Sequence, residues 1–282
     1  MSSNDPVLEF EAATPVVSVV MAVNRDDGFL TSAIESILTQ SMQSLELLVV
    51  ANNCSDELWA HLQMLATRDT RLRPLRTPLG QLPYNLNVGL HQARGEFIAR
   101  MDADDLALPD RLARQLHFLR ANPSVSVVGG NYEHIDERGH LIGQPTSLRL
   151  DPDKIHERMP YESCIPHPTV MMRRADAIQV GGYAYGLYAE DWDLWLRMRR
   201  AGKRFANIPD LVLLYRIHAG QSTSLQAARR NIANVQALLL RELILTANPT
   251  FALSMLRHLG FELLRIAVAL TRRVFPKRGV SQ

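Results

Sequence analysis

The chain opens on a strand signal. From Val16 to Val23 the residues are mostly β-branched or small and apolar, with no polar period, the pattern of a strand buried on both faces of a parallel sheet. Phe29, Ala33, Ile34, Ile37 and Leu38 then recur at helical spacing. A second apolar run, Leu45 to Ala51, ends in Asn52-Asn53-Cys54-Ser55-Asp56. The alternation continues with a helix over 56–67, a short strand over 71–76, a helix over 84–93, a strand over 97–99, a helix over 109–121 and a strand over 125–129. Strands that alternate with helices indicate βαβ units and a parallel sheet covered on both faces.

Beyond residue 130 the pattern is sparser. Residues 149–159 are polar and read as a loop or a short helix. Thr169 to Met172 reads as a strand, and Gly181-Gly182-Tyr183 begins a Gly/Tyr-rich, mobile loop running to Tyr188. Ala189-Glu190-Asp191-Trp192-Asp193 opens a helix with acids in its first turn, where they suit the helix dipole. Leu211 to Tyr215 is the last strand, followed by Arg216-Ile217-His218.

In such sheets ligands bind beyond the carboxyl ends of the strands. Asn24, Asn52-Asn53 and Asp102-Asp104 all fall just past strand ends and are expected to converge on one crevice. Arg100-Met101-Asp102-Ala103-Asp104-Asp105 is the densest chemistry in the chain, three carboxylates in four residues. Such a cluster repels itself, and a helix cap before Pro109 needs only one acid. A divalent cation holding a diphosphate is the natural counter-charge, since Mg²⁺ and Mn²⁺ prefer oxygen ligands and leave room for phosphate oxygens. No Gly-x-Gly-x-x-Gly follows the first strand and no Gly-x-x-x-x-Gly-Lys-Ser/Thr occurs, which argues against dinucleotide dehydrogenases and P-loop NTPases.

Composition narrows the class. An apolar content of 46% and a charged content of 21% over 282 residues are those of a globular domain with a large core. Cys54 and Cys164 offer neither a disulfide framework nor a zinc spacing. Residues 1–14 are expected to be a flexible terminus without a signal peptide, and no apolar run is long enough to span a bilayer. The net charge of +2 hides an asymmetry, because residues 225–282 hold nine Lys/Arg and two Glu. On a helical wheel over 251–275, His258, Glu262, Arg265, Arg272 and Arg273 gather within roughly 100° of arc, opposite Leu256, Leu259, Leu263, Ile266, Leu270 and Val274. This predicts a basic amphipathic helix over 251–278, suited to an anionic membrane surface or to packing on the catalytic domain or a second subunit. No nucleic-acid partner is expected.

The order of motifs resembles the family 2 glycosyltransferases, inverting nucleotide-sugar enzymes of the GT-A fold. It rests on 17–21, Ala33-Ile34-Glu35-Ser36-Ile37-Leu38-Thr39-Gln40, Asn87-Val88-Gly89-Leu90, Ala93-Arg94-Gly95-Glu96, the 100–105 cluster, His167-Pro168-Thr169, Gly181-Gly182-Tyr183, Glu190-Asp191-Trp192-Asp193-Leu194-Trp195 and Tyr215-Arg216-Ile217-His218. The resemblance implies an α/β, Rossmann-like, mostly parallel sheet over residues 15–224 and a helical extension over 225–282. It implies a divalent metal, Mn²⁺ or Mg²⁺, at Asp102 and Asp104, with Asp104 the direct ligand; His218 is a further candidate ligand. Asp191 becomes the catalytic base, with Glu190 beside it. Ala22, Asn24, Asn52, Asn53, Asn87, Arg100, Asp102 and Ala103 become candidates for the nucleotide-sugar donor. Two departures bear on the choice of nucleotide: Ala22-Val23-Asn24-Arg25 replaces the usual Pro-x-Tyr-Asn, and Asn52-Asn53-Cys54-Ser55 replaces Asp-Asp-Gly-Ser.

Sugar transfer to an alcohol needs a carboxylate to take the hydroxyl proton and a cation to meet the charge growing on the leaving diphosphate. The chain supplies an acid group for each. The acceptor expected is a glycan or a lipid-linked sugar of a cell-surface polysaccharide, handled in the cytoplasm or at the inner face of the plasma membrane. The rival readings are a sugar nucleotidyltransferase, which needs a Gly-rich basic loop where Asn24-Arg25-Asp26-Asp27-Gly28 stands, and a non-catalytic nucleotide-sugar-binding module, which would be expected to have lost Asp104 or Asp191.

Overall fold

The computed structural model describes residues 14–184, 189–218 and 225–261, with 225–231 as backbone alone. Nine strands form one sheet in the order β3-β2-β1-β4-β8-β6-β9-β5, with β7 paired to β6. They are β1 (Val17–Val23), β2 (Leu45–Asn52), β3 (Leu72–Thr77), β4 (Phe97–Met101), β5 (Leu106–Ala107), β6 (Val125–Ile135), β7 (Leu141–Ile142), β8 (Met171–Arg173) and β9 (Arg204–Arg216). β1, β2, β3, β4, β6 and β9 share one direction, while β5, β7 and β8 run against them. The sheet is therefore mostly parallel.

The helices are α1 (Leu30–Leu38), α2 (Asp56–Arg68), α3 (Leu82–Gln92), α4 (Arg111–Ala121), α5 (Pro152–Arg158), α6 (Arg174–Gln179), α7 (Glu190–Arg200) and α8 (Leu225–Thr246), with a ninth helix described over 250–261. Strand alternation sorts the core into two layers. Val17, Val19, Met21 and Val23 of β1 point to one face and pack with Ile34 and Ile37 of α1, Leu58 and Leu62 of α2 and Leu112 and Leu116 of α4. Val20 points to the other and packs with Leu86 and Leu90 of α3, Ile155 of α5, Leu194 and Trp195 of α7, and Leu238 and Leu239 of α8. Apolar burial on both faces is what the unalternated strand runs demand.

The structure extends and corrects the element list. β6 and β9 are each far longer than the runs 125–129 and 211–215: β6 continues through Asn131–His134 on a half-covered surface, and β9 begins at Arg204, its buried start Phe205–Ile208 broken up in sequence by Asn207 and Pro209. The segment 149–159 holds α5, started by Asp151, whose carboxylate accepts from the amides of Asp153 and Lys154. Thr169 belongs to a short 3-10 turn over His167–Thr169 rather than to β8. The predicted N-terminal segment 1–13, loop residues 185–188 and tail residues 262–282 lie outside the described residues.

In the helix over 250–261 the leucine face read from the wheel is left open and the polar arc meets the domain. Phe251 and Ser254 are buried and His258 is half-buried, its Nε2 lying 2.9 Å from the Tyr161 carbonyl. Leu253, Leu256 and Leu259 are exposed. His258, on the polar arc of the wheel, makes a docking contact because the Tyr161 carbonyl gives its imidazole a hydrogen-bond partner.

Gly89 tests the packing of α3 on β1. A Cβ there would overlap the Val20 side chain. Ala in place of a mid-helix Gly gains about 1 kcal/mol of propensity, but overpacking costs about 1–3 kcal/mol, and two overlapped methyl groups put the cost at the upper end. Gly89→Ala is expected to lower the melting temperature by several degrees in a thermal denaturation scan.

Candidate active site

The three carboxylates follow β4, where the chain must leave the sheet centre and cross to its far edge. It does so through 102–105 and adds β5 antiparallel to β9, with Leu106 opposite Leu214 and Ala107 opposite Leu213. This two-residue clip brings the end of β9 onto the acid cluster. Arg216 locks the junction: its amide donates to Asp105 Oδ1 (2.8 Å), its Nε to the Asp104 carbonyl (2.7 Å) and its Nη1 to the Asp136 carbonyl (3.0 Å). Its guanidinium lies over the Phe29 ring at 4.4 Å, a cation–π contact.

The outcome is a cleft of about 720 Å³ beyond the ends of β1, β4 and β9. Ala22, Asn24, Phe29 and Leu82 line one side, and Asp102, Ala103, Asp104, Tyr215 and His218 the other. Carboxylate oxygens of Asp102, Asp104 and Asp105 lie within 4.8 Å of one another. Asp104 Oδ2 is 2.9 Å from His218 Nε2, and the His218 ring packs edge-on against Phe29 at 5.3 Å. Burial raises the Asp105 carboxyl well above the ordinary range, with repulsion from Asp102 adding to it and the Arg216 amide opposing it; its Oδ2 has no hydrogen-bond partner. Burial also raises Asp102, against the pull of Arg100, with Asp104 raising it further. Carboxylates crowded with an imidazole, with Asp105 Oδ2 left without a hydrogen-bond partner, are a donor set that fits Mn²⁺ or Mg²⁺.

A second acid group stands at the start of α7. Burial raises Glu190 to about 7, with the Asp191 charge adding to the effect. Burial raises Asp191 as well, and its Oδ2 accepts from Ser163 Oγ at 3.3 Å. His167 Nδ1 lies 3.8 Å from Glu190 Oε1, while its Nε2 is 2.9 Å from the Tyr183 hydroxyl. Burial and then the Arg100 charge push His167 well below its usual pKa, so it meets Glu190 as a neutral ring. A base with a raised pKa is a better proton acceptor near neutrality.

Arg100 connects the two groups. It is buried, ion-paired through Nη1 to Asp102, and its charge also acts on Glu190 and Asp191. Its own burial disfavours the cation, but Asp102 more than offsets this and its pKa is raised.

The other expected residues fall elsewhere. Asn53, in the left-handed region at φ 45°, lines a neighbouring cavity of about 430 Å³ with Cys54, Arg76, Thr77 and Pro78. Asn52 is buried and donates to the Val23 carbonyl (2.9 Å), tying β2 to β1. Asn87 spends both amide atoms on Tyr183, donating to its carbonyl and accepting from its amide, each at 2.8 Å. Trp192 and Trp195 are core residues. Phe29, Ser163 and Leu82 were not singled out by the sequence; Phe29 reads as an ordinary apolar helix position, and Ser163 and Leu82 carry no local signal.

The crossed sheet, with one acid cluster at β4 and a second acid pair opening α7, defines a nucleotide-sugar transferase of the GT-A type. The glycosyl transferase family 2 model matches residues 18–181, and the chain belongs to that family. It is 33% identical over 248 residues to the O-antigen biosynthesis glycosyltransferase WbnJ of Escherichia coli, covering 86% of this chain and 94% of that one. It is 32% identical over 191 residues to the amylovoran biosynthesis glycosyltransferase AmsE of Erwinia amylovora, covering 66% and 70%. Among solved structures, S. aureus TarS 1-349 in complex with UDP-GlcNAc superposes with a TM-score of 0.65 at 18% identity over 80% of this chain. This chain spans 66% of that TarS chain. The Pyrobaculum calidifontis mannosyltransferase PcManGT, in complex with GDP-Man and Mn2+, superposes with a TM-score of 0.60 at 18% identity over 94% of this chain and 82% of its own. At 18% identity these two establish the fold. The protein is a family 2 glycosyltransferase, which sets aside the nucleotidyltransferase and non-catalytic readings.

Glu190 yields a pH prediction. Its carboxyl is raised in the folded chain, so folding binds a proton between about pH 4.5 and 7 and stability falls as pH rises through that window. Glu190→Gln removes the penalty. Urea denaturation is expected to find the variant more stable than wild type at pH 8, by on the order of 1–3 kcal/mol, with the gap closing at pH 4.5.

Proposed function

We propose that the protein moves a sugar from a nucleoside-diphosphate donor to a hydroxyl of a glycan or lipid-linked acceptor, inverting the anomeric centre, in the assembly of a surface polysaccharide. The observation that carries this reading is the meeting of Asp104 with His218 in the cleft, while Asp191 lies within the field of the same Arg100. The relatives named for O-antigen and amylovoran biosynthesis support the pathway class, and the UDP-GlcNAc and GDP-Man complexes support the donor class.

Ala22, Asn24 and Ala103 line the cleft and are assigned to the donor, with Asn53 beside it for the nucleotide base. Asn52 and Asn87 serve the donor indirectly, by fixing the β1 end and the turn that carries Tyr183. Asp104, Asp102 and His218 would hold Mn²⁺ or Mg²⁺, which supplies positive charge to the departing diphosphate. Asp191 takes the proton from the acceptor hydroxyl as its oxygen bonds the anomeric carbon. The bond from that carbon to the diphosphate oxygen breaks, and the leaving group keeps the electron pair. One displacement inverts the centre, and no sugar-enzyme bond forms. Glu190, near half-protonated at pH 7, keeps a second full negative charge from crowding Asp191.

Purified protein incubated with UDP-sugars, GDP-mannose and Mn²⁺ is expected to release nucleotide from one donor class. Release should stop with EDTA and fall about 10²–10⁴-fold in Asp191→Asn, the range for loss of a general base, and Asp104→Ala should be equally impaired. Metal-independent release, or full activity in Asp191→Asn, refutes the reading.

No helix among the described residues is long and apolar enough to cross a membrane. Among the described residues, seven of the fourteen exposed large apolar side chains fall between Leu240 and Phe261, including Ile244, Leu253 and Leu256, and the sequence beyond them is rich in Lys/Arg. We infer that this face lies on an anionic membrane at its cytoplasmic side, where lipid-linked acceptors reside. Sedimentation with phosphatidylglycerol vesicles should be strong, should weaken in high salt and should be lost in the double variant Leu253→Asp, Leu256→Asp. Equal binding to neutral vesicles contradicts it.

A further inference from the structure

The catalytic reading makes Asp191 the base, yet the end of α7 that carries it has no side-chain cap, and beside Asp191 the buried Trp192, whose indole donates to the Met159 carbonyl at 2.7 Å, ties it to the neighbouring wall. The N-cap residue Ala189 sits in the left-handed region at φ 65°. What else holds the helix lies on its opposite side. Successive helix residues turn by about 100°, so Asp191 and Asp193 point away from each other. Asp191 meets Ser163, whereas Asp193 is fully buried among arginines.

Asp193 accepts from Arg197 Nε at 2.8 Å on its own helix and from Arg241 Nη1 at 2.6 Å on α8. Arg241 turns its other nitrogens to Glu242 Oε1, at 3.1 and 2.9 Å, and the buried Glu242 also pairs with Arg200 of α7. Arg197 in turn donates from Nη1 to the Val180 carbonyl at 2.7 Å, at the edge of the turn that presents Tyr183. One fork from α8 therefore bridges two buried carboxylates and, through Asp193, fixes both α7 and the 180–183 turn. The partner wall is tied to the same extension: Ser254 Oγ donates to the Pro160 carbonyl at 2.7 Å, just before Ser163.

We propose that Arg241 is a positioning residue for the transfer, acting through Asp193 to hold Asp191 in place, and that residues 225–261 are part of the active-site architecture rather than an appendage. They lie wholly outside the 18–181 stretch that carries the family match. A planar, five-donor guanidinium suits this bridge, since it can serve two carboxylates at fixed angles while a lysine ammonium cannot reproduce the fork. The inference rests on the reading of Asp191 as base.

The test measures Mn²⁺-dependent nucleotide release from UDP-GlcNAc and GDP-mannose, using whichever the wild type turns over, in Arg241→Met, Arg241→Lys, Asp193→Asn and Asp191→Asn of the full chain. Arg241→Met is expected to lower kcat at least tenfold while KM for the donor stays within about twofold, because the donor cleft is left intact. Arg241→Lys should recover part of the loss and melts as a cooperative fold, which keeps the test decisive if Arg241→Met does not fold. Arg241→Met combined with Asp193→Asn should cost clearly less than the product of the two single losses, since the Arg241–Asp193 contact is common to both. A folded Arg241→Lys with wild-type kcat, or losses that fall equally on kcat and donor affinity, overturns the proposal. If Asp191→Asn is inactive while the Arg241 variants keep full kcat, this inference fails and the assignment of the base survives; if Asp191→Asn is fully active, both fall.

Discussion

A single buried cation makes this site possible. Four carboxylates, those of Asp102, Asp105, Glu190 and Asp191, have their pKa raised by desolvation, and Arg100 is a buried positive charge acting on every one of them. Without it the acids of β4 and of α7 would face one another across a low-dielectric interior, where unpaired charges are costly. Arg100 can stay charged there because Asp102 pairs with it directly. Arg111, whose guanidinium donates to the Arg100 carbonyl at 2.7 Å, holds the strand end from below. The geometry of the cleft follows from this arrangement more than from any one candidate ligand.

The sheet supplies the second condition. A Rossmann-like half, β1 to β4 with α1 to α3, would by itself end in an open crevice. The antiparallel insertion of β8 beside β4, and the clip of β5 on β9, fold the later strands over that crevice. Arg216 then donates to three main-chain carbonyls, those of Asp104 and of the consecutive Asp136 and Glu137, and so pins the acid loop to the end of β6.

What could be read from the sequence was what local pattern encodes. β1, β2 and β4 announced themselves as apolar runs, and the amphipathic helices by their period. The acids of 102–105 stood out because their density exceeds what capping requires, whereas those of 190–191 suit a helix start and took a catalytic role only from the family resemblance. His218 could be named as a candidate ligand beside Asp102 and Asp104, but the clip that carries it there could not be read, since a two-residue strand such as β5 carries no periodicity. Asn87 looked like a donor contact; only the fold shows its amide closed onto Tyr183. The two faces of the C-terminal helix could be read from the wheel, but not which of them meets the domain, because a wheel weighs hydrophobicity and cannot see the Tyr161 carbonyl that takes His258.

The Asp104–His218 contact joins residues 114 positions apart. During synthesis the first four strands and their helices leave the ribosome well before His218 does. The nascent chain thus holds a nearly complete nucleotide crevice with an unfinished cation cradle. The cradle cannot be complete until β9 pairs with β6 and β5, so a partly made chain carries the acids of 102–105 without the histidine that meets them.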